Sequence, residues 1–286
     1  MRWRTGTRSG NVEDRRGIPG GGAGGLGIVG IVIVVVIALV VGIDPIQLLQ
    51  GSDFSTVGTS QQSRMTQEEQ DKLADDATLV LGDTEKTWAV IFEDQLGRTY
   101  TVPKLVLFTG SVDSACGYAS SAIGPFYCPG DDKVYLDLDF FYELQENYGA
   151  SGDFARAYVI THEIGHHVQN QLGTSRYVDT KSRQLSKAEA NKLSVALELQ
   201  ADCYSGVWAN RAQYQDLILE KGDLEEALNA ANAIGDDTLQ KEAQGYVVPD
   251  SFTHGTSAER VQWFRKGLDS GQVSACANPL LPAVTS

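Results

Sequence analysis

The sequence contains no C-x-x-C pair, which argues against a structural zinc knuckle. It shows no internal repeat, so a solenoid or propeller is excluded. Histidine is scarce, with four in 286 residues, so any imidazole chemistry has few bearers. Basic residues are in deficit: 23 Lys and Arg stand against 37 Asp and Glu, a formal charge of −14. A pI near 4.7 argues against nucleic acid as a partner. The deficit is uneven. Residues 1–16 carry Arg2, Arg4, Arg8, Arg15 and Arg16 against only Glu13 and Asp14, so the acid excess lies downstream.

The stretch that organises the chain is AYVITHEIGHHVQNQL, residues 157–172. His162 and His166 are four apart, so on a helix they share a face and two imidazoles reach one ion. Glu163 lies about 100° further round, where it reaches a water beside the ion without ligating it. This is the H-E-x-x-H pattern of zinc metalloproteases. Asp153 is placed to cap the helix and Gly173 to end it.

Taken in order, residues 1–25 are basic and then Gly-rich, a tail too poor in apolar surface to order itself. Leu26 to Ile43 is an uncharged apolar run, at the short end for a transmembrane helix. No A-x-A-like cleavage site follows it, which favours an uncleaved anchor over a signal peptide. The preceding arginines put the N-terminus in the cytoplasm and the remainder outside. Residues 44–64 read as a linker, and residues 65–286 as one domain.

Within that domain, Thr66 and Glu69 form a capping box for a helix that should stop at Gly82, with a second helix from residue 84 to Gly97. Residues 103–109 and 133–138 read as strands. The second is either an ordinary strand or an edge strand able to pair with extended substrate. GPFYCPGDD reads as turn material, residues 174–185 as a loop, and Gly235-Asp236-Asp237 as a turn. Helices are expected at 140–148, 186–210 and 223–233, and a last one, capped by Thr256 or Ser257, through Leu268. The fold class is α+β, mainly helical with a small sheet.

Catalytic zinc takes three protein ligands and keeps one position open. Glu198 in ELQAD supplies the third, and Asp202, four residues on, is placed to accept the Nδ1–H of a ligand histidine. Leu197, Leu199, Ala201, Val207 and Trp208 make that helix largely buried, where carboxylates need partners. His254, the one histidine outside the motif helix, and Arg260 are candidate donors to the oxyanion of a tetrahedral intermediate. His167 points off the ligand face and receives no catalytic role. An even cysteine count in an exported domain favours disulfides. Cys116 and Cys128 would close a short Gly/Pro-rich loop, leaving Cys203 with Cys276, although four cysteines allow three connectivities.

With HEIGHHVQ, ELQADCYSGVWAN and HGTSAER in place, the chain resembles the neutral zinc metallopeptidase family of bacterial membrane-anchored proteins. The CG…GPFYCP…VYLDL…FF stretch and the basic N-terminus with its apolar run extend the resemblance over nearly the whole chain. More distantly the site is similar to gluzincins, where a downstream Glu is the third ligand and an Asp four later supports a histidine. HGTSAER is similar to the T-H-P-x(4)-R stretch of membrane-associated zinc peptidases, with Gly255 in the proline's place. The resemblance implies a zincin-like domain holding one Zn2+ per chain.

The expected activity is endoproteolysis of a peptide or protein substrate, outside a membrane that the chain crosses once through residues 26–43. Glu163 would be the general base toward a zinc-activated water. Two rivals remain: a catalytically silent, metal-stabilised scaffold or adaptor, and an amidase acting on cell-wall material. A pure scaffold has no need of Glu163.

Overall fold

The computed structural model describes residues 6–17, 63–120, 124–147, 149–216, 219–220 and 222–284. Helix α1 spans Gln67–Leu96. Its capping box of Thr66 and Glu69 is the one expected, and Gly97 ends it in the left-handed region at φ 61°. The expected break at Gly82 does not occur. A Cβ at Gly82 would lie 2.2 Å from the carbonyl oxygen of Thr7, so this glycine admits a crossing chain instead of stopping the helix.

That crossing chain is the N-terminal segment, and here the expectation of a separate, unordered tail is corrected. Val12–Asp14 form strand β1, parallel to strand β2, Lys104–Phe108. Leu105 N–H donates to Asn11 O at 2.9 Å and Arg15 N–H to Leu107 O at 2.8 Å. The basic residues meet acids of α1: Arg8 binds Asp75 with contacts of 2.5 and 2.7 Å, and Arg16 lies 3.0 Å from Asp71. Ser9 and Asn11 both donate to Glu85, and Lys133 to Glu13. Main-chain pairing and matched charge order the segment with little apolar burial.

The remaining strands are β3 (Ser111–Ser114), β4 (Gly117–Ser120), β5 (Phe126–Cys128) and β6 (Lys133–Asp137). The main sheet runs β1-β2-β6-β5, with β5 antiparallel, and β3-β4 form a separate hairpin. Of the two readings of residues 133–138, the structure gives the ordinary strand and not the edge strand: β6 lies between β2 and β5. Val134, Tyr135 and Leu136 are buried in succession, as a strand covered on both faces requires. The edge belongs to β5, whose three residues between Pro125 and Pro129 read as a turn.

Helices α2 (Asp139–Glu146), α3 (Asp153–Gln171), α4 (Thr174–Ser182), α5 (Lys187–Asp216), α6 (Asp223–Ala233), α7 (Asp236–Gln244) and α8 (Ser257–Ser270) complete the fold. The expected loop after α3 is α4, entered through Gly173 at φ 82° and held by buried Val178. The expected turn at Asp236 is the first turn of α7. Asp153 does not cap α3. The N-cap is Gly152, and Glu226 of α6 accepts the Phe154 N–H at 2.9 Å. Around α3 pack α1, α5 and α6, and α8 packs on α5 and α6, with Phe154, Tyr158, Tyr204, Trp208 and Phe264 fully buried. Helices α5 and α8 meet backbone to backbone: a Cβ on Gly206 would lie 2.0 Å from Phe264 O, and one on Gly267 1.9 Å from Cys203 O.

Both disulfides of the expected pairing form. Cys116–Cys128 joins the hairpin turn to β5, and Cys203–Cys276 joins α5 to the C-terminal segment. The apolar run 26–43 and most of the expected linker lie outside the described residues. Among the described residues no helix is long and apolar enough to cross a membrane.

The Gly82 contact yields a change of sign. Gly82→Ala in the full chain should push Thr7 away and cost about 1–3 kcal/mol in urea unfolding. In a chain lacking residues 1–17 the same change should stabilise α1 by about 1 kcal/mol, because alanine is the better helix former. The same sign in both chains would refute the docking of the N-terminal segment on α1.

Candidate active site

Helix α3 carries His162, Glu163 and His166, and α5 carries Glu198 and Asp202. The two helices touch at Gly165, where a Cβ would lie 2.8 Å from Ala201 O. This contact brings the ligand faces together. His162 Nε2 is 3.1 Å and His166 Nε2 is 3.4 Å from the Glu198 carboxylate. The three ligand atoms lie within 4.8 Å of one another, and among the described residues no other such metal-holding group occurs. Two imidazole nitrogens and one carboxylate oxygen are a donor set that fits zinc with a position left for water.

Behind His162 lies a buried polar cluster. Its Nδ1 donates to Asp202 Oδ1 at 2.8 Å. The same carboxylate accepts from Tyr158 OH at 2.5 Å, from Arg260 Nε at 2.9 Å and from Arg260 Nη2 at 3.0 Å. Arg260 Nη1 donates to Ile234 O at 3.2 Å. Arg260 therefore borders the cleft with its donors turned away from it, toward Asp202, Tyr158 and Ile234. Through its two bonds to Asp202, Arg260 backs that carboxylate. The sequence signal was a basic residue after a histidine, and it carried no direction.

Charge is strongly biased in this cluster. Burial opposes ionisation of Asp202, yet Arg260 and His162 bring its pKa to about 2. Burial alone would depress His162, but Asp202 and Glu198 lift it to about 10. His166 is likewise raised by Glu198 against the effect of burial. Glu198 is held well below the usual carboxylate range by His166 and His162, although burial pulls the other way. Glu163 shifts upward: burial outweighs the attraction of both histidines.

His254 lies on the loop before α8, with its side chain half exposed at the cleft. Its Nδ1 lies 3.2 Å from Asp236 Oδ1, and that bond raises its pKa. Asp236 Oδ2 also accepts the backbone N–H of Thr253, His254 and Gly255, at 2.7, 2.6 and 3.0 Å. Asp236 thus fixes both the loop and the ring. Sequence reasoning missed it, because a contact across 18 residues, from the start of α7 to the loop before α8, leaves no periodic trace.

The site opens into a cleft of 770 Å³, walled by Phe126 and Tyr127 of β5, Phe140 of α2, Val178 of α4 and Leu197 of α5. Tyr127 is tied to α3: His167 Nδ1 lies 3.1 Å and Asn170 Nδ2 3.0 Å from its hydroxyl. His167 Nε2 donates to Thr101 O at 2.6 Å. His167 is thus a strut between α3 and the wall, consistent with its having no catalytic role.

The family model described as "Putative neutral zinc metallopeptidase" matches residues 1–278. The Escherichia coli (strain K12) protein YpfJ is 47% identical over 285 residues, 96% of this chain and 98% of that protein. The Mycobacterium tuberculosis (strain H37Rv) protein Rv2575 is 44% identical over 188 residues, 62% of each chain. Both are described as uncharacterized. No solved structure matches.

The raised imidazoles set the pH dependence of metal uptake. Against the effect of burial, Asp202 and Glu198 lift His162 to about 10, so it holds a proton near neutrality in the metal-free fold, whereas ligation needs a bare Nε2. Zinc uptake should release protons, and affinity should fall as pH falls, by about tenfold per unit for each proton displaced. Calorimetry in two buffers of different ionisation enthalpy measures the release. Equal heats in both buffers would overturn this account.

Proposed function

The chain belongs to the neutral zinc metallopeptidase family, and from that premise we propose that it is a zinc-dependent endopeptidase with Glu163 as general base. The observation that carries this reading is the position of Glu163. It lies on the cleft wall beside two metal-ligand histidines, 8% exposed, with its affinity for protons raised by burial. A scaffold gains nothing from a buried carboxylate that ligates nothing.

His162, His166 and Glu198 would hold one Zn2+, which supplies Lewis acidity: it acidifies a water and polarises a carbonyl oxygen. The remaining work falls to this chain's side chains. Glu163 takes the proton from water and delivers it to the departing amine. Asp202, neutralised by Arg260, fixes the ring of His162. His254, engaged with Asp236 through Nδ1, offers Nε2 to an oxygen on which negative charge grows. The outer edge of β5 borders the cleft and suits an extended peptide added as a further strand.

We assign the domain to the outer side of a membrane, supported by two disulfides, the absence of free cysteine among the described residues and the apolar run 26–43. The N-terminus belongs with it. This reading is supported by the pairing of β1 with β2, which a single crossing between residues 17 and 63 would part.

Two experiments test these readings. Zinc-loaded protein should cleave a peptide library, while Glu163→Gln keeps its zinc and its melting temperature but loses about 100-fold or more in turnover. Unchanged turnover would sink the mechanism. An inert peptide library with hydrolysis of cell-wall amides would move the substrate class. In spheroplasts, Gly10→Cys and Asp94→Cys, both at exposed positions, should react alike with an impermeant maleimide. Labelling of Asp94→Cys alone would restore the single crossing.

A further inference from the structure

His162 has its outer nitrogen fixed by Asp202, but no carboxylate serves His166 in the same way. Its Nδ1 faces Gln169 Oε1 at 2.9 Å. A glutamine offers either an acceptor or a donor to a ring nitrogen, and the wrong choice would favour the tautomer with its proton on Nε2, where the ion must bind. The surroundings settle that choice. Gln169 is fully buried, and its Nε2 lies 2.7 Å from Leu197 O and 3.1 Å from Gln200 Oε1. Gln200 is fully buried too, and its Nε2 lies 3.2 Å from Cys276 O.

Main-chain carbonyls only accept, so the directions follow in sequence. Cys276 O draws the Gln200 amino group, which turns Gln200 Oε1 toward Gln169. Leu197 O and Gln200 Oε1 then draw both hydrogens of the Gln169 amino group. Gln169 Oε1 is left to face His166 and must receive a proton from Nδ1. His166 is thereby locked with Nε2 bare and turned toward Glu198. Two buried amides are costly unless every donor is used, and packing alone would be served by leucines at both positions.

We propose that Gln169 is the positioning residue of His166, and that Gln200, anchored on Cys276, holds Gln169 in the orientation that fixes the bare-Nε2 tautomer. The anchor is itself tethered. Cys276 is disulfide-bonded to Cys203, the neighbour of Asp202. The outer partners of both histidines are thus referred to one bond. This rests on the reading of His162, His166 and Glu198 as a zinc site, and not on peptidase activity.

The test is zinc affinity of the full chain by chelator competition, together with the 15N-detected tautomer of His166. Wild type must first bind zinc with Glu198→Ala impaired; if it does not, the ligand set itself is refuted, and this proposal with it. Given that binding, Gln169→Leu should weaken zinc by about 10- to 100-fold and let His166 sample both tautomers. Gln200→Leu, which leaves Leu197 O in place, should weaken it by less. If Gln169→Leu fails to fold, the tautomer of His166 in Gln200→Leu decides: a loosened Nδ1–H supports the relay. Zinc affinity within twofold of wild type in a folded Gln169→Leu, or an unshifted His166 in Gln200→Leu after Gln169→Leu has failed, would overturn it.

Discussion

Asp202 is the group on which the architecture depends. It is an ionised carboxylate with no exposure, and a buried charge survives only if its partners are complete. Its partners come from α3, through His162 and Tyr158, and from α8, through Arg260. Breaking one partner of such a cluster costs about 3–5 kcal/mol. Helices α3, α5 and α8 are therefore held in one arrangement by a single acid. The glycines follow from that demand. Gly165 lets α3 approach α5, and Gly206 with Gly267 lets α8 approach from the other side. Larger residues would separate the helices and leave Asp202 short of donors.

The cleft is built by a second set of ties, on the adjoining face of α3. His167 and Asn170 hold Tyr127 of β5, while His162 and His166 face Glu198. One helix thus sets the distance between the candidate metal ligands and the strand edge. Burial keeps the pKa of His167 below its ordinary value, so the strut stays neutral near pH 7. The Cys116–Cys128 bond fixes the far end of the same strand. A three-residue strand needs such anchoring, because its own ladder is short.

What the sequence disclosed was periodic. The i, i+4 pairs His162–His166 and Glu198–Asp202 foretold two facing helices, and the Thr66–Glu69 capping box and the cap candidate Thr256 marked two helix starts correctly. What it concealed was tertiary. Gly82 carries a stop signal locally and a contact with Thr7 in space. The basic segment before the apolar run has the composition of a tail, and only the acids of α1 and the open edge of β2 give it a place. Strand β5 is too short for an alternating pattern. Arg260 and His254 are neighbours in HGTSAER, yet one turns inward and the other outward, which composition does not encode.

The division of labour between those two residues follows from charge. A divalent ion in the site would meet two neutral imidazoles and the carboxylates of Glu198, Glu163 and Asp202. Three negative charges around a +2 ion leave an excess of one, and a buried excess is expensive. Arg260 cancels Asp202 through two hydrogen bonds. Glu198 and Glu163 then balance the ion between them. Asp202, Tyr158 and Ile234 O take four of the five N–H groups of Arg260, so in the proposed mechanism the developing oxyanion is left to a cation outside the buried cluster. His254 is such a group: it lies at the cleft, and Asp236 favours its protonated form. The inward turn of Arg260 and the outward turn of His254 are thus two consequences of one requirement, neutrality around the ligand set.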